Sequence, residues 1–236
     1  MPDLLVRKSP NERAAVIQRI WEGETVAVIA TGPSLTKSDL DLVSGLKCIA
    51  VNDAYLVAPW AKVLYAADER WWKWQADGRN KSWSWGQKFN QDGVRKAYRE
   101  FQGQKVTIQH TQVFNDPDVL VLENDGQDGL SERPDAVRTG QHSCYQAINI
   151  ATLSGAKKIL VLACDLRYVN NRSHAHNGHH PTVTDESAYR RYAKNFRTIE
   201  NPLKKMGVEV VNCAPGSEVK SFRFSTVEKE LCLAPS

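Results

Sequence analysis

Apolar residues in this chain fall into short, mostly continuous runs separated by polar stretches, and few of the runs alternate. Runs that predict strands cover Thr25–Ala30, Lys47–Val51, Lys62–Ala66, Lys105–Gln109, Val119–Leu122, Lys158–Ala163 and Val208–Asn212. Continuous, β-branched runs suit strands covered on both faces, as in a parallel sheet. Helical spacing is read over Asn11–Glu22 from Ala15, Ile17, Ile20 and Trp21, and helices are expected at Thr139–Ser154 and Glu186–Met206. Gly155 and Gly207 stand where a glycine closes a helix. Strand and helix alternate, which predicts a doubly wound, mostly parallel α/β fold in one domain over residues 1–236.

Two polar stretches interrupt this pattern. Residues 67–103 carry Trp71, Trp72, Trp74, Trp83 and Trp85, and residues 170–184 carry His174, His176, His179 and His180. Both are expected to be irregular insertions, the second a lid over the binding site. The tryptophans either stack on a sugar or base or form a small cluster that anchors the insertion. Lys73, Arg79, Lys81 and Lys88 among them keep nucleic acid open as a lesser partner.

Composition narrows the class. At 236 residues, 42% hydrophobic and 25% charged, the chain has enough length and apolar content for a globular core. Its longest apolar runs, such as Ile159 to Cys164, are too short to cross a bilayer. The first residues show neither a signal-peptide apolar region nor a cleavage site, so a cytoplasmic location is expected. None of the five cysteines forms a CxxC pair, and Cys48, Cys164 and Cys213 read as buried free thiols. A net charge of +4 suits an anionic ligand such as a nucleotide.

Candidate chemistry lies where strands end. VAVIATGPSL, from Val26 to Leu35, is an apolar strand running into a tight turn. Gly32 there allows close backbone approach, and Ser34 is placed to cap a following helix. Such a strand, turn and helix start is a common phosphate site. Asn52 and Asp53 end the second run and Asp68 follows the third; each is read as a ligand contact or as a turn residue. Thr139 and Ser143 either cap a helix or present groups to phosphate. Asp165 ends the strand at Lys158–Ala163, with Arg167 and Tyr168 in reach of a phosphate. The histidines at 174–180 could bind zinc, but no cysteine or carboxylate lies at zinc-motif spacing. No metal ligand is therefore assigned, and a histidine is read as a general base.

Three blocks together resemble a known superfamily: VAVIATGPSL, CIAVND, and HSCYQAINIATLSGAKKILVLACDLRY. In this order and spacing they are similar to the Rossmann-type group that joins Campylobacter-type bacterial sialyltransferases to MptE-like (DUF115) proteins. The sialyltransferase branch implies a glycosyltransferase with a CMP-sugar donor, a hydroxyl acceptor and no required metal cofactor. By that resemblance Thr31, Gly32, Pro33 and Ser34 form the donor turn, and Asn52 contacts the nucleotide. Ser143 lies by the ribose or phosphate, and Tyr168 steadies the leaving phosphate with His174 or Arg167. The base is His180 or His179, ahead of Thr184-Asp185. Ala30, Thr31 and Cys144 depart from the family's pattern at a glycine, an asparagine and a second glycine. The MptE-like branch implies the alternative, a Mg²⁺-dependent diphosphokinase with Asp53, Asp68 and Asp165 on the metal. A non-catalytic nucleotide-binding module is the third reading. Members also occur in phage genomes, and related sialyltransferases assemble as homo-oligomers.

Overall fold

The computed structural model describes residues 2–109, 116–178 and 186–232. Nine strands form one sheet: β1 (Thr25–Ile29), β2 (Lys47–Val51), β3 (Val63–Tyr65), β4 (Gln104–Ile108), β5 (Val119–Asn124), β6 (Ala136–Val137), β7 (Lys158–Leu162), β8 (Glu209–Asn212) and β9 (Arg223–Phe224). Their order across the sheet is β6-β5-β4-β3-β2-β1-β7-β8-β9, and every neighbouring pair is parallel. The chain winds outward from β1 in one direction and then from β7 in the other, so the fold is a doubly wound, Rossmann-like α/β domain.

Among the described residues seven α-helices accompany the sheet: α1 (Lys37–Val43), α2 (Glu69–Asp77), α3 (Gln91–Glu100), α4 (Ser143–Leu153), α5 (Glu186–Asn195), α6 (Arg197–Lys205) and α7 (Val227–Cys232). Alternate strand residues point to opposite faces. Val26, Val28, Ile49 and Val51 pack with α4 and α6, whereas Ala27, Ile29, Cys48 and Ala50 pack with α1, α2, α3 and α7. Both faces are therefore buried, which is why the strands read as continuous apolar runs. Gly155 and Gly207 follow the ends of α4 and α6 at φ 97° and 67°, where a side chain would be strained.

Several sequence expectations need correction. Asn11–Glu22 is no helix: Ala15–Ile17 is a strand that pairs antiparallel with Leu5–Arg7. Ala15 and Ile17 are the buried positions, a period of two that outweighs the helical spacing to Trp21. The helix expected over Glu186–Met206 breaks at Phe196. There Thr198 Oγ1 donates to the Asn195 carbonyl at 2.7 Å, and Phe196 turns inward onto Tyr145 and Phe222. Thr36, rather than Ser34, caps α1, and His142, rather than Thr139 or Ser143, caps α4.

Residues 67–103 are regular, built from α2, a hairpin of Lys81–Trp83 with Lys88–Phe89, and α3. His176–Asn177 adds a third strand to that hairpin. The aromatic residues explain the order. Trp71 and Trp72 are buried edge-to-face at 5.0 Å, Trp72 Nε1 donates to the Ala66 carbonyl, and Trp83 packs on His176 at 4.8 Å. The faces of Trp71, Trp72 and Trp83 are spent on anchoring the insertion.

At the far edge, buried Glu230 on α7 accepts from Arg223 Nη1 at 2.6 Å, Arg223 Nη2 at 2.7 Å and Lys158 Nζ at 3.1 Å. The Arg223 guanidinium, first among these, holds the Glu230 carboxyl at about 2 against an ordinary 4.5. A lowered folded value gives stability that is present above the ordinary value and lost as pH falls towards 2. Glu230→Gln is expected to cost about 2 kcal/mol at neutral pH, allowing for solvent around half-exposed Arg223. Denaturant titrations from neutral pH down to pH 2 check this, because the gap between the two proteins should close in acid.

Candidate functional site

In an open parallel sheet, ligands sit outside the carboxyl ends of the strands where the order reverses. Here that point lies between β1 and β7, and a cleft opens on it. Its walls include Thr31, Gly32, Asn52, His142, Cys164, Asp165, Ser173 and His174. The cleft itself is small, about 70 Å³, but it shares Leu166 and Tyr189 with a cavity of about 460 Å³. That cavity is also lined by Arg167, Tyr168, Glu186, Arg190 and Glu218. Its volume is in the range of small-ligand pockets, about 300–1,000 Å³.

The turn after β1 is locked onto the end of β7. Gly32 N–H donates to the Ala163 carbonyl at 2.9 Å. Asp165 Oδ2 accepts from the Ser34 backbone N–H at 3.2 Å and from Ser34 Oγ at 2.8 Å. The Gly-Pro-Ser turn thus spends its Ser34 donors on a carboxylate, and they are not an open phosphate cradle. Burial pushes the Asp165 carboxyl above its ordinary range, partly offset by the Ser34 bonds. Asp165 Oδ1 is buried and takes no hydrogen bond from another described side chain.

Backbone strain gathers at the same place. Asn52, Ala163 and Leu166, all on the cleft wall, have φ between 50° and 53°. For alanine and leucine this left-handed region costs roughly 1–2 kcal/mol each. Such outliers persist where surrounding contacts force them, often at binding sites.

The remaining predicted residues divide. Tyr168 lies in the larger cavity with its ring 5.7 Å from Tyr189. Arg167 Nη2 donates to the Pro215 carbonyl at 3.2 Å, while its buried Nε–H donates to no described residue. His174 Nδ1 lies 2.9 Å from Ser173 Oγ, and the next residue's N–H donates to the Thr31 carbonyl at 2.8 Å. Asp53 points away from the cleft into a buried cluster, 3.0 Å from Lys81 Nζ and 3.3 Å from His176 Nε2. Asp68 caps α2 and pairs with Arg70 at 2.8 Å. Ser143 opens α4, but neither it nor Pro33 is on the cleft wall. His179 and His180 lie outside the described residues.

Asp53, Asp68 and Asp165 therefore do not converge on one point. The single group of His, Cys, Asp and Glu side chains close enough for a metal, among the described residues, is His142, Cys144 and Cys164. Sequence reasoning assigned none of these three, and it missed Tyr189 and Arg190. The two residues lie on α5, some twenty positions on from Arg167, and only the folded chain brings them beside it.

No family model and no curated protein matches the chain. Among solved structures, the sialyltransferase CstII from Campylobacter jejuni, in complex with the substrate analogue CMP-3FNeuAc, is similar to it. Identity is 10%, the TM-score is 0.49, and the match covers 85% of each chain. Among the described residues no helix is long and apolar enough to cross a membrane.

Proposed function

We propose that this chain is a glycosyltransferase that takes a nucleotide sugar, CMP-linked by the resemblance of its three sequence blocks, and passes the sugar to an acceptor hydroxyl. The observation that carries this reading is the switch-point cleft beside a cavity, walled in common by Leu166 and Tyr189, that holds an arginine with an unspent buried N–H. Phosphate of the donor would lie by Arg167, with Tyr168 and Arg190 beside it. Charge grows on that phosphate as the glycosidic bond breaks, and preorganised donors at a developing charge are usually a large catalytic term. Asp165 Oδ1 would accept from a hydroxyl of the donor, positioned by the turn at Gly32. The acceptor oxygen attacks the anomeric carbon, its proton passes to an imidazole, and the nucleoside monophosphate leaves.

The base is His180 or His179, as the resemblance implies. His180→Ala is expected to lower turnover by roughly 10²–10⁴-fold with little change in nucleotide affinity. Full turnover in both His180→Ala and His179→Ala would remove the assignment.

Calorimetric and thermal-shift titrations with CMP, CMP-sialic acid, ADP and ATP, each with Mg²⁺ and with EDTA, test the reading. Stabilisation by the cytidine compounds in EDTA, reduced in Arg167→Ala, is the expected outcome. A ligand at 100 times its Kd adds about 2.7 kcal/mol. No response to any cytidine nucleotide, or a response only to ATP with Mg²⁺, would overturn it.

A further inference from the structure

At the floor of the cleft lies a group that the proposed transfer does not use. His142 caps α4, Cys144 is the helix's second residue, and Cys164 follows β7 by two positions. A ligand atom of each, one imidazole nitrogen and two sulfurs, lies within 4.8 Å of the other two. Both cysteines are buried, and His142 and Cys164 reach the cleft wall. We propose that these three side chains bind one soft divalent metal ion of the zinc type, with its fourth coordination position facing the cleft.

The donor set selects the ion. Two sulfurs and one imidazole suit zinc or cobalt, whereas Mg²⁺ and Ca²⁺ take oxygen. Tetrahedral zinc, with bonds of about 2.3 Å to sulfur and about 2.0 Å to nitrogen, holds its ligand atoms a little under about 4 Å apart. The cluster needs only a small closure to reach that. The three positions sit at a helix start and just past a strand end, on elements of the scaffold rather than on a long loop. The positive end of the α4 dipole faces the cluster and offsets the charge of two thiolates.

Without an ion, a hydrogen bond to Cys144 and burial push the Cys164 thiol well up, against a smaller lowering by His142. An ion would displace both thiol protons as it binds. Binding the ion also has a cost. His142 Nδ1 accepts the Cys144 N–H at 3.2 Å, and a neutral imidazole has one lone pair. Coordination takes that lone pair, so loading the ion exchanges the cap of α4 for a metal bond. Three protein ligands with one open position is the arrangement of ions that hold water or a substrate oxygen. The inference stands apart from the nucleotide reading and would survive its failure.

The test is a titration of the reduced, chelator-treated full chain with Co²⁺ under anaerobic conditions. Saturation at one ion per chain, with thiolate-to-cobalt charge-transfer absorption in the near ultraviolet that Zn²⁺ abolishes, is the expected result. Cys144→Ser and Cys164→Ser should each lose at least half of that absorption, and Cys232→Ser, at the exposed cysteine, should keep all of it. The wild-type spectrum decides even where a variant fails to fold. Binding without the thiolate band, as imidazoles alone would give, overturns the proposal, and so does a band that survives in the Cys144→Ser/Cys164→Ser double variant.

Discussion

Gly32→Ala is expected to weaken nucleotide binding by about 100-fold or more and to destabilise the fold at the same time. A Cβ on Gly32 would fall 2.0 Å from Asp165 Oδ2 and 2.4 Å from the Ala163 carbonyl oxygen. The carboxylate could swing aside, but the carbonyl is backbone, held in place by the Gly32 N–H and by the end of β7. The turn itself must move, and overpacking of this kind costs roughly 1–3 kcal/mol. Its displacement also breaks the two Ser34 bonds that aim Asp165. A shift of about 1 Å at a positioning element can cost about 100-fold. Calorimetry with CMP and urea unfolding on the same variant separate the two losses. Unchanged affinity beside lowered stability would place the nucleotide away from the switch point.

The sheet was legible because its strands are buried on both faces. Seven runs chosen for continuous β-branched character became β1 to β5, β7 and β8, with ends shifted by only a residue or two. The two-residue strands β6 and β9 carry too little pattern to see, since their place depends on what they pair with. Ala15–Ile17 was misread because Ile17, Ile20 and Trp21 fall at helical spacing, and only pairing with Leu5–Arg7 decides. The tryptophan-rich insertion failed for another reason. Its order comes from aromatic packing between segments far apart in sequence, such as Trp83 on His176.

The site was legible at strand ends and opaque elsewhere. Thr31, Gly32, Asn52 and Asp165 sit on the cleft because a parallel sheet delivers its strand ends to one edge. Nothing in the residue types said that Asp165 would be spent half on Ser34, or that Ala163 and Leu166 would adopt positive φ, which alanine and leucine rarely do. The approach of Cys164 to His142 and Cys144 was equally hidden. The residues are some twenty positions apart, at the two ends of one helix–strand unit, and show no metal-motif spacing.

Lys81→Met should cost about 3–5 kcal/mol. Lys81 and Asp53 are 3% and 1% exposed and 3.0 Å apart, and His176 Nε2 lies 3.3 Å from the same Asp53 oxygen. Lys81 Nζ also donates to the Gly178 carbonyl at 2.9 Å. Removing the ammonium leaves a buried carboxylate without its balancing charge, which is why breaking one side of such a pair is costly. Replacing both charges, as Asp53→Asn with Lys81→Met, should recover much of the loss, and the double-mutant cycle measures the coupling. The consequence reaches the cleft. Asp53 follows Asn52, and His176 is two residues from His174, so one buried ion cluster clamps both cleft-wall segments to the insertion hairpin. Lys81→Met protein that remains folded at low temperature should therefore bind CMP more weakly. Urea unfolding and calorimetry read the two effects on one sample. A loss of stability with affinity unchanged would make the cluster a support of the insertion alone.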